Sequence, residues 1–253
     1  MKRNDVIVRH EINPRSGRDL IVGDIHGHFT KLEGELHAIG FDESRDRLFS
    51  VGDLVDRGPE SHLALDWLRR PWFHAVRGNH EEAAIGWHTG DLRDERLYRD
   101  YGAAWNIDAS AAVQHERALA FAQLPLGIEL QTPEGLVGIA HADFPLSSWL
   151  AAAGVLAAGG LRAQALADSM IEGRERWKRL FDGPVHGLRA LVVGHQPVHR
   201  MQQLDNILFI DTYGWQGLPF TILDAATLQP APAPGQVLQW NEQQVPGAAR
   251  ERS

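Results

Sequence analysis

Three short strings in the first third of the chain each end an apolar run in a glycine beside residues that bind cations. They are Val22-Gly23-Asp24-Ile25-His26-Gly27, Val51-Gly52-Asp53-Leu54-Val55-Asp56-Arg57-Gly58 and Val76-Arg77-Gly78-Asn79-His80-Glu81. Further along, His141 follows the apolar run 136–140, and Gly194-His195 follows the run 191–193. A polar residue at the carboxyl end of a strand stands where α/β sheets place their chemistry. Asp24, His26, Asp53, Asn79, His80, His141 and His195 together offer oxygen and nitrogen donors suited to Mn²⁺, Fe²⁺ or Zn²⁺. The chain has no cysteine, so thiolate ligands and disulfides are excluded. These donors are too many for one catalytic ion that keeps a position open, and they suit two ions sharing a carboxylate. Asp53, the middle acid in sequence order, is the expected bridge.

Two such ions, about 3.5–4 Å apart, can hold a hydroxide between them and clamp a phosphoryl group. The phosphate oxygens also need cationic donors. Arg57 and Arg77 each lie within four residues of an expected ligand, which places both at one rim. His80 neighbours Asn79, and adjacent side chains point apart. His80 therefore reads as the general acid that protonates the leaving oxygen, with Asp56 fixing its tautomer. The implied reaction is direct hydrolysis of a phosphate ester with no phosphoenzyme.

The elements that must carry these residues follow a strand-loop-helix recurrence. Strands are expected at 20–22, 47–51 and 72–76, and helices at 29–39, 60–70 and 81–87, which is the grammar of an α/β sandwich. Residues 97–124 read as helical up to Pro125, and strands resume at 127–130 and 136–140. Residues 145–188, Ala/Gly-rich and then charged, read as a helical cap inserted between two core strands, with its Ala-rich helix interrupted at Gly154. Strands at 191–193, 207–210 and 220–223 follow, and the short turns closing the last two suggest antiparallel pairing there. One domain over residues 1–228 is expected, with a Pro/Gly/Gln-rich strap or tail over 229–253.

With 25 Lys plus Arg against 33 Asp plus Glu, the formal net charge of −8 argues against a nucleic-acid surface and requires positive charge to be local. The amino terminus, Met1-Lys2-Arg3-Asn4-Asp5, runs into no apolar core of signal-peptide type, so a cytoplasmic location is expected. The apolar window 146–161 is short for a membrane span, and no membrane partner is expected. Most of His10, His28, His37, His62, His74, His88, His115, His186 and His199 fall on helix patterns or loops, where a solvated or capping role is the commoner reading. Trp67, Trp87 and Trp105 read as core packing.

The strings GDIHG (Gly23 to Gly27), GDLVDRG (Gly52 to Gly58) and RGNHE (Arg77 to Glu81), followed in order by His141 and Gly194-His195, resemble the phosphoprotein-phosphatase family of metallophosphoesterases. The likeness is to its bacterial and phage-type serine/threonine phosphatases and runs from Asp19 to about Leu223. It implies a metallophosphoesterase (calcineurin-like) β-sandwich flanked by helices, with metals where the strands end. Asp24 and His26 would bind one ion, Asn79, His141 and His195 the other, and Asp53 both, the ions being most commonly Mn²⁺. Asp56 would support His80, Arg57 and Arg77 would grip phosphate, and Arg174, ahead of Arg176, would add a third arginine. The implied substrate is a phosphoserine or phosphothreonine protein. Two departures stand out: Gln196 replaces the family's threonine, and Tyr213 is inserted into the usual Ile-Asp-Thr-Gly run as Ile210-Asp211-Thr212-Tyr213-Gly214.

Symmetrical diadenosine tetraphosphate hydrolases share the three strings, but Asp56 before Arg57 favours the protein-phosphatase branch. A silent metal-binding regulatory module is disfavoured because Asp56, Arg57, Arg77 and His80 are all present.

Overall fold

In the computed structural model, which describes residues 6–231, short aliphatic and aromatic runs form two stacked sheets. The strands are β1 (Ile7–His10), β2 (Asp19–Val22), β3 (Arg47–Ser50), β4 (Phe73–Ala75), β5 (Gly127–Thr132), β6 (Gly135–Ala140), β7 (Ala190–Val193), β8 (Gln202–Leu204), β9 (Ile207–Phe209), β10 (Ile222–Asp224) and β11 (Gln229–Pro230). One sheet has the order β1-β5-β6-β7-β9-β8 and the other β11-β10-β2-β3-β4.

Alternation along each strand decides which face it buries. Ile21, Phe49, Ile139 and Val192 point into a core between the sheets. Their neighbours Leu20, Val22 and Leu48 turn outward against Phe29, Leu32 and Leu36 of α1 (Phe29–Ala38) and Trp67 of α2 (Ala64–Leu68). On the other side, Ala140, Leu191 and Val193 turn toward Trp149, Leu156, Leu166 and Met170. Strands covered on both faces carry the continuous apolar runs seen in the sequence.

The pairs β2–β3 and β3–β4 are parallel, as are β6–β7 and β7–β9. The carboxyl ends of both sets meet at one edge of the sandwich. There is no room at Gly194 for a side chain, because a Cβ would run into Val51 and the Asp24 carboxylate.

The remaining helices are α3 (Asn79–Thr89), α4 (Glu95–Asp100), α5 (Ala104–Ile107), α6 (Ala111–Ala122), α7 (Leu150–Ala158) and α8 (Gly160–Glu172). Several expectations are corrected. The helix expected at 81–87 starts earlier, at Asn79, because Gly78 is extended and its N–H is taken by the Glu81 carboxylate at 2.8 Å. Residues 60–70 form a 3₁₀ turn (Ser61–Leu63) leading into the short α2. Gly154 stays inside α7, and the break falls at Gly159-Gly160, both with positive φ, of 68° and 76°. The strands expected at 207–210 and 220–223 do pair antiparallel, but in different sheets: β9 with β8, and β10 with β2 and β11. Strands β1 and β8 were not expected, since IVRH and QQL carry too much polarity to read as core.

Of the tail expected at 229–253, Gln229 and Pro230 form β11. Residues 232–253, and the amino-terminal Met1–Asp5 segment, lie outside the described residues. Among the described residues, no helix is long and apolar enough to cross a membrane.

Candidate active site

Immediately past the strand ends the chain bends hard. His26, Asp53, Asp56, Arg57 and His195 all have positive φ, between 44° and 67°, a region costly for L-residues and concentrated at functional sites. These bends turn side chains back toward one another. Asp53 lies at the centre: its Oδ2 is 3.5 Å from His26 Nε2 and 3.8 Å from His80 Nε2, while its Oδ1 is 3.3 Å from His141 Nε2. Two groups with mutually close donor atoms result, His26-Asp53-His80 and Asp53-His141-His195, and Asp53 belongs to both. Asn79 Oδ1 lies 3.0 Å from both His141 Nε2 and His195 Nδ1, joining it to the second group.

The donor set fits divalent metal. His26 Nδ1–H donates to Val55 O at 2.9 Å and His141 Nδ1–H to Val51 O at 2.8 Å, so each presents its Nε2 lone pair to the cluster. Fixing one ring nitrogen on a carbonyl is how ligating histidines are oriented. Burial lowers the pKa of His26, of His141 and of His195, the last to about 3, which keeps these imidazoles neutral as ligation requires. Asp24 is in neither close group. Its carboxylate accepts the His195 N–H at 3.1 Å and lines a polar cavity together with Asp53, Asn79 and His195. Burial, then the neighbouring Asp211 and Asp53 carboxylates, raise its pKa well above the usual range. Burial also opposes charge on Asp53, but His141, His80, His26 and His195 together hold its pKa below the usual range.

His80 is held differently from the other histidines. Its Nδ1–H donates to Asp56 Oδ2 at 2.8 Å, and Asp56 Oδ1 in turn accepts the Trp105 indole N–H at 2.6 Å. Burial works to lower the His80 pKa, but Asp53 and Asp56 outweigh it and raise it. Burial raises that of Asp56. Trp105, expected only to pack, is thus also a donor to the carboxylate that orients His80. Sequence gave no signal for this pairing across 49 residues.

Glu81 fastens the frame. Its buried carboxylate accepts the N–H groups of Asp53 at 3.0 Å, Leu54 at 2.8 Å and Gly78 at 2.8 Å, tying the β3 loop to the β4 loop. Burial and the charge on Asp53 push its pKa up to about 7 against these bonds. Glu81 stands in the RGNHE string, but this bracing role depends on backbone groups 27 and 28 residues away and has no local signal.

The arginines separate. Arg57 lines a polar cavity of about 480 Å³ with Asp24, Asp53, Asn79, His80 and His195. Its Nη1 donates to His26 Nε2 at 2.7 Å, and its Nη2 lies 3.1 Å from His80 Nε2. Arg77 does not join it at the rim, contrary to expectation. Its guanidinium turns away to pair with Glu82 at 2.9 Å and Leu124 O at 3.2 Å, beside a separate cavity of about 330 Å³. The reason is helical geometry. Arg77 precedes the Gly78 cap and Asn79 starts α3, so the two side chains leave on different sides. Arg174 lines the polar cavity, together with Lys178 and Tyr101, neither of them anticipated. Arg176 is buried and committed to the carbonyls of Phe144 at 2.7 Å, Leu146 at 2.9 Å and Gly183. Arg174, not Arg176, is free to face a ligand there.

Comparison with known proteins agrees with this geometry. The calcineurin-like phosphoesterase family matches residues 18–208. Serine/threonine-protein phosphatase 2 of Escherichia coli (strain K12) is 34% identical over 200 residues, covering 76% of this chain and 85% of that protein. The symmetrical bis(5'-nucleosyl)-tetraphosphatase of Shewanella baltica (strain OS223) is 36% identical over 126 residues, covering 49% of this chain and 43% of that protein. A crystal structure of a putative diadenosine tetraphosphatase superposes with a TM-score of 0.60 at 22% identity, covering 88% of this chain and 94% of that one.

Proposed function

Since the chain belongs to the calcineurin-like phosphoesterase family, we propose that it is a serine/threonine protein phosphatase that hydrolyses phosphomonoesters with two divalent ions, Mn²⁺ foremost and Fe²⁺ or Zn²⁺ as alternatives. The observation that carries this reading is Asp53, whose two oxygens face two different histidine groups beside Arg57 in a polar cavity. Asp24, His26 and Asp53 would hold one ion, and Asp53, Asn79, His141 and His195 the other. Such ions polarise the phosphoryl oxygens and lower the pKa of water at the site.

The protein's own groups do the rest. Arg57 and Arg174 line the cavity and bind the phosphate oxygens, supplying the local positive charge that the acidic whole lacks. His80, its tautomer set by Asp56, presents Nε2 to the cavity and protonates the departing serine or threonine oxygen. Transfer goes directly to water, with no phosphoenzyme. The segment 145–188 acts as a cap over this cavity, to which it contributes Glu172, Arg174, Glu175 and Lys178.

The second reading, a symmetrical dinucleoside tetraphosphate hydrolase, is favoured by the Shewanella relative. That likeness covers 43% of the relative's length, against 85% for the Escherichia coli phosphatase, which supports the protein-phosphatase choice. Side-by-side turnover of a phosphothreonine peptide and diadenosine tetraphosphate with Mn²⁺ tests it. Faster cleavage of the dinucleotide would reverse the assignment, and trapping of a phosphoenzyme would overturn direct transfer.

A further inference from the structure

Arg57 has one neighbour on which the reaction chemistry makes no claim. Its Cζ lies 4.4 Å from the centroid of the Trp215 ring, a distance at which a guanidinium is held by the indole face. Arg57 lines the polar cavity, whereas Trp215 is not among the residues that line it. The same ring meets His26 edge to face at 5.1 Å, and so borders both the phosphate arm and a ligand.

The segment bearing Trp215 is held in a costly shape. Tyr213 has φ of 60°, a left-handed value that a bulky side chain rarely adopts, and Gly217 closes the turn with φ of 96°. Tyr213 packs against His199 at 5.6 Å and near Trp215 at 6.3 Å. Trp215 Nε1 and Asp211 Oδ2 are both buried and neither makes a well-formed hydrogen bond, although the indole N–H is near enough to oppose the rise of the Asp211 pKa to about 6. The face of the indole meets the Arg57 guanidinium.

We propose that Trp215, held in the turn between Tyr213 and Gly217, is a positioning residue that pre-orients the Arg57 guanidinium for a phosphate dianion. This rests on the reading of Arg57 as a phosphate ligand. Neither guanidinium nor indole changes protonation in this role. The indole limits the rotamers of a flexible arm before ligand arrives, which strengthens binding without altering the reacting groups.

Isothermal titration of the Mn²⁺-loaded protein with inorganic phosphate, and separately of the metal-free protein with Mn²⁺, tests this. Trp215→Leu should weaken phosphate binding about 5- to 30-fold, while Trp215→Phe, which keeps an aromatic face, stays within about 3-fold of wild type. Mn²⁺ stoichiometry should be unchanged in both, and KM for p-nitrophenyl phosphate should rise more than kcat falls. In an Arg57→Ala background, Trp215→Leu should add nothing. Unaltered phosphate affinity in Trp215→Leu, equal losses in the Leu and Phe variants, or loss of Mn²⁺ would each overturn the proposal. Should Arg57→Ala itself leave phosphate affinity unchanged, the reading of Arg57 falls, and this inference with it. If Arg57→Ala weakens binding and Trp215→Leu does not, only this inference falls.

Discussion

Replacing Glu81 by glutamine changes one oxygen for an amide at the junction that holds the β3 and β4 loops together. In the wild type Oε2 accepts from Asp53 and Gly78, and Oε1 from Leu54. Glutamine keeps two of these bonds by placing its carbonyl at the Oε2 position, and its NH₂ then faces the Leu54 N–H. One buried backbone donor is left unpaired at a cost of about 1–3 kcal/mol, and above about pH 7, where Glu81 is ionised, loss of the negative charge weakens the two surviving bonds by about 0.5 kcal/mol each. The expected loss of stability is about 2–4 kcal/mol, or roughly 4–16 °C in Tm for a chain of this size. The affected loops carry Asp53 and Asn79, so Mn²⁺ affinity should fall by about 10- to 100-fold, the usual effect of removing a group that orients ligands. Scanning calorimetry and Mn²⁺ titration measure both quantities. Glu82→Gln is the control, because its carboxylate is half exposed and only pairs with Arg77, and it should cost under about 1 kcal/mol. Equal effects of the two substitutions, or a Glu81→Gln protein as stable as wild type, would refute the reasoning.

Other expectations follow from the same geometry. His80→Asn should lower kcat on p-nitrophenyl phosphate by about 10²–10⁴ with Mn²⁺ still bound, and loss of metal would show that His80 is a ligand instead. Arg174→Ala should weaken inorganic phosphate binding about tenfold, whereas Arg77→Ala should lower Tm and leave phosphate affinity nearly unchanged; the opposite pattern would restore Arg77 to the rim. His74, stacked on Phe49 at 5.0 Å, has its pKa lowered to about 4, chiefly by burial. The unfolded chain then binds more protons than the native one between pH 6.5 and 4, so stability falls as pH falls through that window, by up to about 3 kcal/mol from this group. Urea unfolding of His74→Phe should show a correspondingly shallower loss, and an identical slope would exclude His74 as the source.

The residues proposed to hold metal were legible as a set of converging donors because their signals are local. Asp24, His26, Asp53, Asn79, His141 and His195 each sit within a few residues of an apolar run and a glycine, and a strand followed by a sharp turn has few ways to direct the next side chain. Parallel pairing of adjacent strands then gathers those ends without further instruction. The polar strands were less legible: Gln202–Leu204 pairs only through its backbone with β9, and side-chain pattern carries no trace of that.

The sequence by itself determined which donors exist, their order, and the edge at which they end, since turn chemistry and strand period act over a handful of bonds. The tertiary structure decided where the long side chains point. Arg77 was drawn to Glu82 and the end of α6, Arg176 to the carbonyls of Phe144 and Leu146, Trp105 to Asp56 and Trp215 against Arg57. A guanidinium or indole has several rotamers of similar intrinsic energy, and the choice among them falls to partners brought close only by packing of distant segments.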